Sequence, residues 1–176
     1  RAGGLSKVCS NPSDLAKPDA IILPGVGSFD NSIEKLKSSG FIDILHQKVL
    51  VENIPFLGIC VGMQLLFEHS EEGILPGLGW LKGAVVRFNF SQLAQGNSLK
   101  IPHMGWNDVY PNSGSNLFAG LEQGSRFYFV HSFHVSCEDS SDILALSEYG
   151  YRFTSAIQNN NIYGVQFHPE KSHRFG

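Results

Sequence analysis

Hydrophobic residues in the first half of the chain follow two alternating patterns. Residues 20–25 (AIILPG) and 55–59 (PFLGI) are short apolar runs, as expected for parallel strands that are buried on both faces. Residues 29–40 and 41–53 place apolar side chains at helical spacing, and residues 61–70 predict a further helix. This order of strands and helices predicts a parallel sheet with crossover helices.

Shorter segments flank these elements on both sides. Residues 6–10 predict a short strand, and residues 11–17 predict a capped helical turn. From about Gly83 the pattern changes to short segments rich in Val, Phe, Tyr and Ile, which is typical of β-structure. Residues 158–164 (QNNNIYG) predict a hairpin turn, since asparagine tolerates positive φ. We therefore expect one α/β domain over residues 1–176, whose second half is an antiparallel or mixed extension.

Composition narrows the class of protein further. A chain of 176 residues with 42% hydrophobic and 16% charged residues is long enough for one domain with a core of its own. The formal net charge of −3 argues against a non-specific nucleic-acid binder, which needs a basic face. No apolar run approaches the roughly 18 residues of a membrane span. Cys9, Cys60 and Cys137 are widely spaced and odd in number, which predicts a cytoplasmic protein without a disulfide framework.

The histidines do not form a metal motif. Neither H-E-x-x-H nor CxxC occurs in the chain, so neither a metal site nor a cofactor is predicted. His131 and His134 lie three positions apart in a predicted strand, so we expect their side chains to point to opposite faces.

Cys60 stands between two glycines, at positions 58 and 62, where an apolar run ends and a predicted helix begins. G-x-C-x-G resembles the nucleophile elbow G-x-S-x-G, in which a sharp turn exposes the nucleophile and a Cβ at either glycine would collide. The helix start favours thiolate over thiol, and the N–H of Val61 can donate to an oxyanion. The alternative is a small buried cysteine beside a common glycine turn.

A cysteine nucleophile needs a base, and His168 is the candidate. In an extended segment, His168 and Glu170 emerge on the same face, so Glu170 can orient the imidazole that activates the thiol. The alternative is an ordinary surface turn. Residues 23–29 (LPGVGSF) end a predicted strand at the same sheet edge and contain Gly25 and Gly27. They form either a loop that donates a backbone N–H to an oxyanion or a plain turn between strand and helix.

These motifs resemble those of the class I, triad-type glutamine amidotransferases. Residues 55–67 and 164–172 carry the resemblance to that family as a whole. Other segments are similar to the glutaminase subunits of imidazole glycerol phosphate synthase, namely residues 23–29, 71–88, 100–107 and 128–135. The resemblance implies a flavodoxin-like or Rossmann-like fold: a mostly parallel sheet with helices on both faces and a β-rich antiparallel extension. It also implies that an N-terminal strand and a C-terminal helix are missing, so that the domain is truncated at both ends.

The resemblance further implies roles for individual residues. Cys60 would attack the side-chain amide of glutamine, His168 would move the proton, and Glu170 would orient the imidazole. The oxyanion hole would consist of backbone groups, from Val61, Val26 and Gly27.

By the same resemblance, the α-amino and carboxylate end of glutamine would be held by Gln64 and Glu72. Backbone groups of His131, Ser132 and Phe133 would also contribute. Without the family, Gln64 is equally well an exposed helix residue and Glu72 a solvated loop charge.

The implied partner is a TIM-barrel cyclase that forms a heterodimer with the chain and receives ammonia through a channel. Trp106 and Lys171 would face this partner, whereas the alternative for Trp106 is a half-buried core residue. Other functions remain open at this point. One alternative is the same chemistry supplying another synthase, such as a sugar-aminating enzyme of surface polysaccharide assembly. The others are a cysteine hydrolase and an inactive binding module.

Overall fold

The computed structural model describes residues 4–93, 99–112, 116–121 and 125–176. Within them the α-helices are Phe29–Ser38 (α1), Phe41–His46 (α2), which a π-helical turn Gln47–Val51 continues, and Val61–Gln64 (α3). The strands are Ile21–Gly25 (β1), Phe56–Cys60 (β2), His69–Ser70 (β3), Gly83–Arg87 (β4), His103–Asp108 (β5), Tyr110–Pro111 (β6), Arg126–His131 (β7), Phe133–Cys137 (β8), Ile143–Tyr149 (β9), Tyr151–Asn159 (β10) and Ile162–Val165 (β11). Short 3-10 turns span Pro12–Leu15, Asn116–Phe118, Ser140–Asp142, Pro169–Lys171 and His173–Phe175.

Nine of the described strands form one sheet, whose main order is β1-β2-β11-β10-β8-β4-β3. β1, β2 and β11 are parallel neighbours, whereas β10 runs antiparallel to β11, β8 and β9. β5 and β7 pair separately as an antiparallel ribbon. The predicted α/β class is confirmed, with parallel strands that bear the crossover helices and an antiparallel extension in the second half.

β2 is the central one of the three parallel strands, and the late strand β11 lies directly beside it. Val165 of β11 pairs with Ile59 of β2, and Ile59 also pairs with Pro24 of β1. Because all three strands run in the same direction, their carboxyl ends reach the same edge of the sheet. The segments that follow Gly25, Cys60 and Val165 therefore meet there.

Two hydrophobic clusters support this edge. The first joins α1, the π-helical turn and α3, with Phe29, Val49 and Met63 fully buried. The second is aromatic and lies under the antiparallel extension, where Phe129 is fully buried and Phe167 is 2% exposed. Burial of each such side chain contributes roughly 1.5–3 kcal/mol.

Three element predictions were wrong in part. Residues 6–10 form no strand, and Val8 is 91% exposed. β1 is buried on one face only, since Ile22 is 61% exposed and no described element covers it. The helix predicted over residues 61–70 ends at Gln64. It ends there because the carbonyls of residues 65–67 accept hydrogen bonds from the backbone of residues 78–81 instead of from a further helical turn.

Other local predictions hold. The capped turn is present as Pro12–Leu15, and the predicted helices over residues 29–40 and 41–53 form as α1, α2 and the π-helical turn. The β10–β11 hairpin turns at Asn160, whose φ is 51°.

The expectation for the two close histidines was wrong. Ser132 separates β7 from β8, so the alternation of one strand does not run through both residues. The rings of His131 and His134 both pack on Phe88, with centroids 5.1 and 4.8 Å away. Among the described residues there is no cluster of three or more His, Cys, Asp or Glu side chains suited to a metal ion. No helix in the described part of the chain combines the length and the apolar character needed to cross a membrane.

Candidate active site

Cys60 sits on a strained turn between β2 and α3. Its φ of 54° and ψ of −114° lie outside the regions that L-residues normally occupy. Strain of this kind costs about 1–3 kcal/mol and persists where the surrounding structure enforces it. The conformation is that of the predicted elbow: the strand ends at Cys60 and the helix begins at Val61.

Glycines are required around this turn, as predicted. A Cβ on Gly62 would collide with the carbonyl oxygen of Leu23 in β1, and a Cβ on Gly58 would collide with the backbone of Gly62. A Cβ on Gly25 would meet the backbone nitrogen of Gly62. Three backbone segments thus approach one another here more closely than any side chain allows.

The surroundings of the Cys60 thiol have opposing effects on its pKa. Cys60 is 5% exposed, and burial raises the pKa of its thiol to about 11. Hydrogen bonds from the Val61 N–H and the Gln166 side chain lower that pKa, while the charges of Glu170 and Glu72 raise it further. Because burial dominates, a base must take the proton before the sulfur can act as a nucleophile.

His168 lies at the same sheet edge. It is 2% exposed, and its Nδ1 is 2.8 Å from Oε1 of Glu170. Its Nε2 is buried and has no hydrogen-bond partner among the described residues. With Nδ1–H donating to Glu170, Nε2 carries the lone pair that a base needs.

The contact between His168 and Glu170 was predicted, but the reason given for it was wrong. β11 ends at Val165, and Glu170 lies in the 3-10 turn Pro169–Lys171 instead of in an extended segment. The turn brings the carboxylate back to the imidazole, and Ser172 Oγ donates to the His168 carbonyl at 2.6 Å.

One cavity of about 330 Å³ joins these groups. Its volume suits a small ligand such as a free amino acid rather than a macromolecule. It is lined by Val26, Gly27, Cys60, Val61, Gln64, Glu72, Pro102, Val130, His131, Ser132, Phe133, His168 and Lys171. All the predicted catalytic, oxyanion and ligand-binding residues except Glu170 line it, and Glu170 reaches it through His168.

Gln64 is a buried side chain. It is 3% exposed, so its interpretation as an exposed helix residue was wrong. Its Nε2 donates to the Phe133 carbonyl at 3.1 Å and to Gln166 Oε1 at 3.0 Å. These two acceptors fix the amide against one wall of the cavity.

Glu72 is exposed but is not simply solvated. Its Oε2 accepts the backbone N–H of Phe29 at 2.8 Å, at the start of α1. The next residue of the helix, Asp30, accepts the N–H groups of Ile74 and Leu75 at 3.0 and 3.1 Å. The two carboxylates therefore connect the loop after β3 to the start of α1.

The loop between β1 and α1 contains Val26 and Gly27. Val26 is 77% exposed, and Gly27 has a φ of 103°, which a residue with a side chain rarely adopts. Both residues line the cavity with Cys60. The loop can therefore turn a backbone N–H toward the reacting centre.

Trp106 and Lys171 both contact Tyr128, and only Lys171 lines the cavity. Trp106 is 38% exposed and stacks on His173 at 5.3 Å, so it is a surface residue and not part of the core. Lys171 Nζ lies 5.8 Å from the ring of Tyr128, which itself contacts Trp106 edge-on at 6.2 Å.

Sequence reasoning missed two features of the site. Gln166, 0% exposed, donates to Cys60 Sγ at 3.7 Å. The signal for it was its place on the same face of the late segment as His168. His103 Nδ1 lies 2.9 Å from Nε2 of His131, whose Nδ1 lies 2.8 Å from the Phe133 carbonyl. No pattern in the sequence pairs these two histidines.

Several known proteins are similar to this chain. The family model described as "Glutamine amidotransferase class-I" matches residues 6–176. "Imidazole glycerol phosphate synthase subunit HisH 2" of Methanococcus maripaludis is 52% identical over 96% of this chain and 81% of its own length. "Imidazole glycerol phosphate synthase subunit HisH" of Bdellovibrio bacteriovorus is 50% identical over 96% of this chain and 82% of its own. A crystal structure described as a glutamine amidotransferase superposes with a TM-score of 0.67 at 19% identity, covering 94% of this chain and 78% of that one, and supports the fold.

Proposed function

Because the chain belongs to the class-I glutamine amidotransferase family, we propose that it is the glutaminase subunit of an imidazole glycerol phosphate synthase. It hydrolyses L-glutamine to glutamate and ammonia. The observation that carries the proposal is that one cavity joins Cys60, on its strained turn, to His168, which is paired with Glu170. The subunit name borne by the two curated relatives supports the choice of synthase.

Cys60 performs the first half of the reaction with His168. The sulfur attacks the side-chain amide carbon of glutamine while Nε2 of His168 takes the thiol proton. The carbonyl becomes a tetrahedral oxyanion, which accepts hydrogen bonds from the Val61 N–H and from a backbone N–H of the loop at Val26 and Gly27. Glu170 stabilises the imidazolium through Nδ1.

Collapse of that intermediate breaks the carbon–nitrogen bond. His168 returns its proton to the departing nitrogen, so ammonia leaves and a glutamyl thioester remains on Cys60. Water then attacks the thioester as His168 removes its proton, and the proton goes back to the sulfur as glutamate is released. The cycle restores the thiol and requires no cofactor.

The amino-acid end of glutamine binds to other groups that line the same cavity. Glu72 supplies a negative charge and Gln64 an acceptor oxygen for the α-ammonium group, while Ser132 and Phe133 offer backbone groups at the start of β8. These groups select free glutamine over a glutamine residue within a peptide, because the α-nitrogen of such a residue is an uncharged amide.

The partner is a TIM-barrel cyclase, bound as a heterodimer in the cytoplasm. It receives the ammonia through a channel and forms imidazole glycerol phosphate and aminoimidazole carboxamide ribonucleotide. Trp106 and Lys171 face this partner, since a half-exposed tryptophan is the kind of residue that anchors an interface.

The test is product formation by the complex of this chain with the cyclase. Cys60→Ala should abolish product formation from glutamine, because the nucleophile is gone, but leave product formation from added ammonium salts. Cys137→Ala, at a cysteine that does not line the cavity, is the matched control and should support both reactions. Loss of both reactions in Cys60→Ala would refute the transfer of ammonia from this chain to the cyclase.

A further inference from the structure

Gln166 connects the nucleophile to the ligand-binding wall of the cavity. Its side chain is 0% exposed and uses both ends of its amide. Nε2 donates to Cys60 Sγ at 3.7 Å, and Oε1 accepts from Gln64 Nε2 at 3.0 Å. No other described side chain is hydrogen-bonded to both residues.

The backbone around Gln166 is held on both sides. Its N–H donates to the Ser155 carbonyl at 2.9 Å, which extends the pairing of β10 with β11. The ring of Phe167 packs 4.1 Å from that of Phe127, and the N–H of His168 donates to the Tyr128 carbonyl at 2.9 Å. The amide of Gln166 is therefore presented from a rigid segment.

Gln166 determines which end of the Gln64 amide is free. Both N–H bonds of Gln64 Nε2 are used, one by the Phe133 carbonyl and one by Gln166 Oε1. Gln64 Oε1 has no partner among the described residues. A primary amide held in this way offers an acceptor to a ligand, which suits an α-ammonium group and excludes a carboxylate.

The other end of Gln166 acts on the sulfur. A donor N–H stabilises a thiolate more than a thiol, and the second such donor is the N–H of Val61. Burial and the charges of Glu170 and Glu72 oppose the thiolate. Loss of the Gln166 donor would leave the sulfur with a single hydrogen bond against these effects.

Building on the proposed function, we propose that Gln166 is a positioning residue of the glutaminase reaction, which orients Cys60 through a donated hydrogen bond and Gln64 through an accepted one. Gln166 itself is not among the residues that line the cavity. Its two contacts predict two separable effects, one on the reactivity of the thiol and one on glutamine binding.

Two variants separate these effects. Gln166→Met keeps the length of the side chain and removes both hydrogen bonds, whereas Gln166→Glu keeps an acceptor for Gln64 and lacks the amide N–H. Gln158→Met is the matched control, because Gln158 donates to Tyr163 at 3.3 Å in the same hairpin and does not line the cavity.

The first readout is the rate of iodoacetamide alkylation at Cys60, followed by peptide mass spectrometry, with Cys9 as an internal reference in each sample. We expect both Gln166 variants to alkylate at Cys60 about tenfold more slowly at fixed pH, as loss of a hydrogen bond to a charged group implies. The second readout is the KM for glutamine in complex with the cyclase and its ligand. It should rise about tenfold in Gln166→Met and stay closer to the parent value in Gln166→Glu.

A Gln166→Met protein that matches Gln158→Met in both the alkylation rate at Cys60 and the KM would overturn the proposal. If Gln166→Met does not fold, an experiment on the parent protein alone tests the contact between Gln166 and Cys60. With glutamine side chains labelled with ¹⁵N, the Gln166 amide signal should shift when Cys60 is alkylated, and an unchanged signal refutes the contact. Alkylation does not depend on turnover, so a protein that alkylates at Cys60 but never hydrolyses glutamine would refute the proposed function and leave the alkylation comparison readable.

Discussion

Nδ1 of His168 and Oε1 of Glu170 lie 2.8 Å apart at the edge of the parallel strands. The imidazole is buried, whereas the side chain of Glu170 is 56% exposed. The carboxylate thus holds a buried ring from the solvent side and keeps its proton on Nδ1. The Nε2 atom has no partner among the described residues, and it is the atom that we propose acts on Cys60.

Glu170→Gln should therefore reduce catalysis much more than binding. An amide can donate to Nδ1 and so stabilise the tautomer that has its proton on Nε2, which cannot accept the thiol proton. We expect kcat for glutamine hydrolysis to fall by about 10²–10⁴-fold with KM little changed, measured in complex with the cyclase. Glu34→Gln, at an exposed position of α1, is the control. A kcat equal to that of the control would contradict an orienting role for Glu170.

Local steric rules explain why the elbow at Cys60 was predictable. Gly58 and Gly62 are required by contacts within a few residues of Cys60 and with the neighbouring strand β1, so the pentapeptide carries most of the information. The α/β class followed in the same way from the alternation of strands and helices. Residues 61–70 show the limit, since backbone hydrogen bonds from residues 78–81 end the helix and no periodicity reveals them.

The arrangement of the site depends on long-range pairing that the sequence pattern does not encode. β11 takes its place beside β2 and thereby brings His168 to the cavity that Cys60 also lines. Gln166 was missed for the same reason, because its partners Gln64 and Cys60 lie 102 and 106 positions away in the chain. The β-rich pattern predicted that the late segments are strands but not which strands they pair with.

Glu72 should have two functions that a pair of variants can separate. Its carboxylate accepts the Phe29 N–H at the start of α1 and also supplies the negative charge proposed to bind the α-ammonium group. Glu72→Gln keeps an acceptor and loses the charge, so we expect KM to rise about tenfold or more with the stability little changed. Glu72→Ala should raise KM as well and also cost about 1 kcal/mol of stability, as loss of a helix cap does. KM and urea unfolding measure the two effects. Equal stability of the two variants would refute the capping role.

Trp106 should be an anchor for the cyclase. Its ring stacks on His173 and is 38% exposed, so in the free chain the ring is held in place and remains accessible to a partner. We expect Trp106→Ala to weaken binding of the cyclase by about 30-fold, as truncation of a central interface tryptophan does. Calorimetric titration with the cyclase measures this. Tyr110→Ala is the matched control, since Tyr110 is 52% exposed and lies on the separate strand β6. Equal affinities of the two variants would place the interface elsewhere.

The His103–His131 pair should make the fold sensitive to acid. Burial lowers the pKa of His103 to about 4. The pKa of His131 is lowered to about 3, and burial is the largest cause. Both pKa values lie below the ordinary value near 6.5. Between the lowered pKa and about pH 6.5, the unfolded chain therefore binds protons that the folded chain does not. The free energy of unfolding is therefore retained above about pH 6.5 and falls as the pH drops from there toward about 4.

The expected loss is up to about 2 kcal/mol for each histidine between about pH 7 and about pH 5. Urea unfolding at the two pH values measures it. His131→Gln removes one of the two groups, so its loss of stability between the two pH values should be smaller than that of the parent protein by about one histidine's share. His69→Gln, at an exposed position, should retain the full pH dependence of the parent. If His131→Gln and His69→Gln lose stability equally on acidification, the buried pair is not the source of the acid sensitivity.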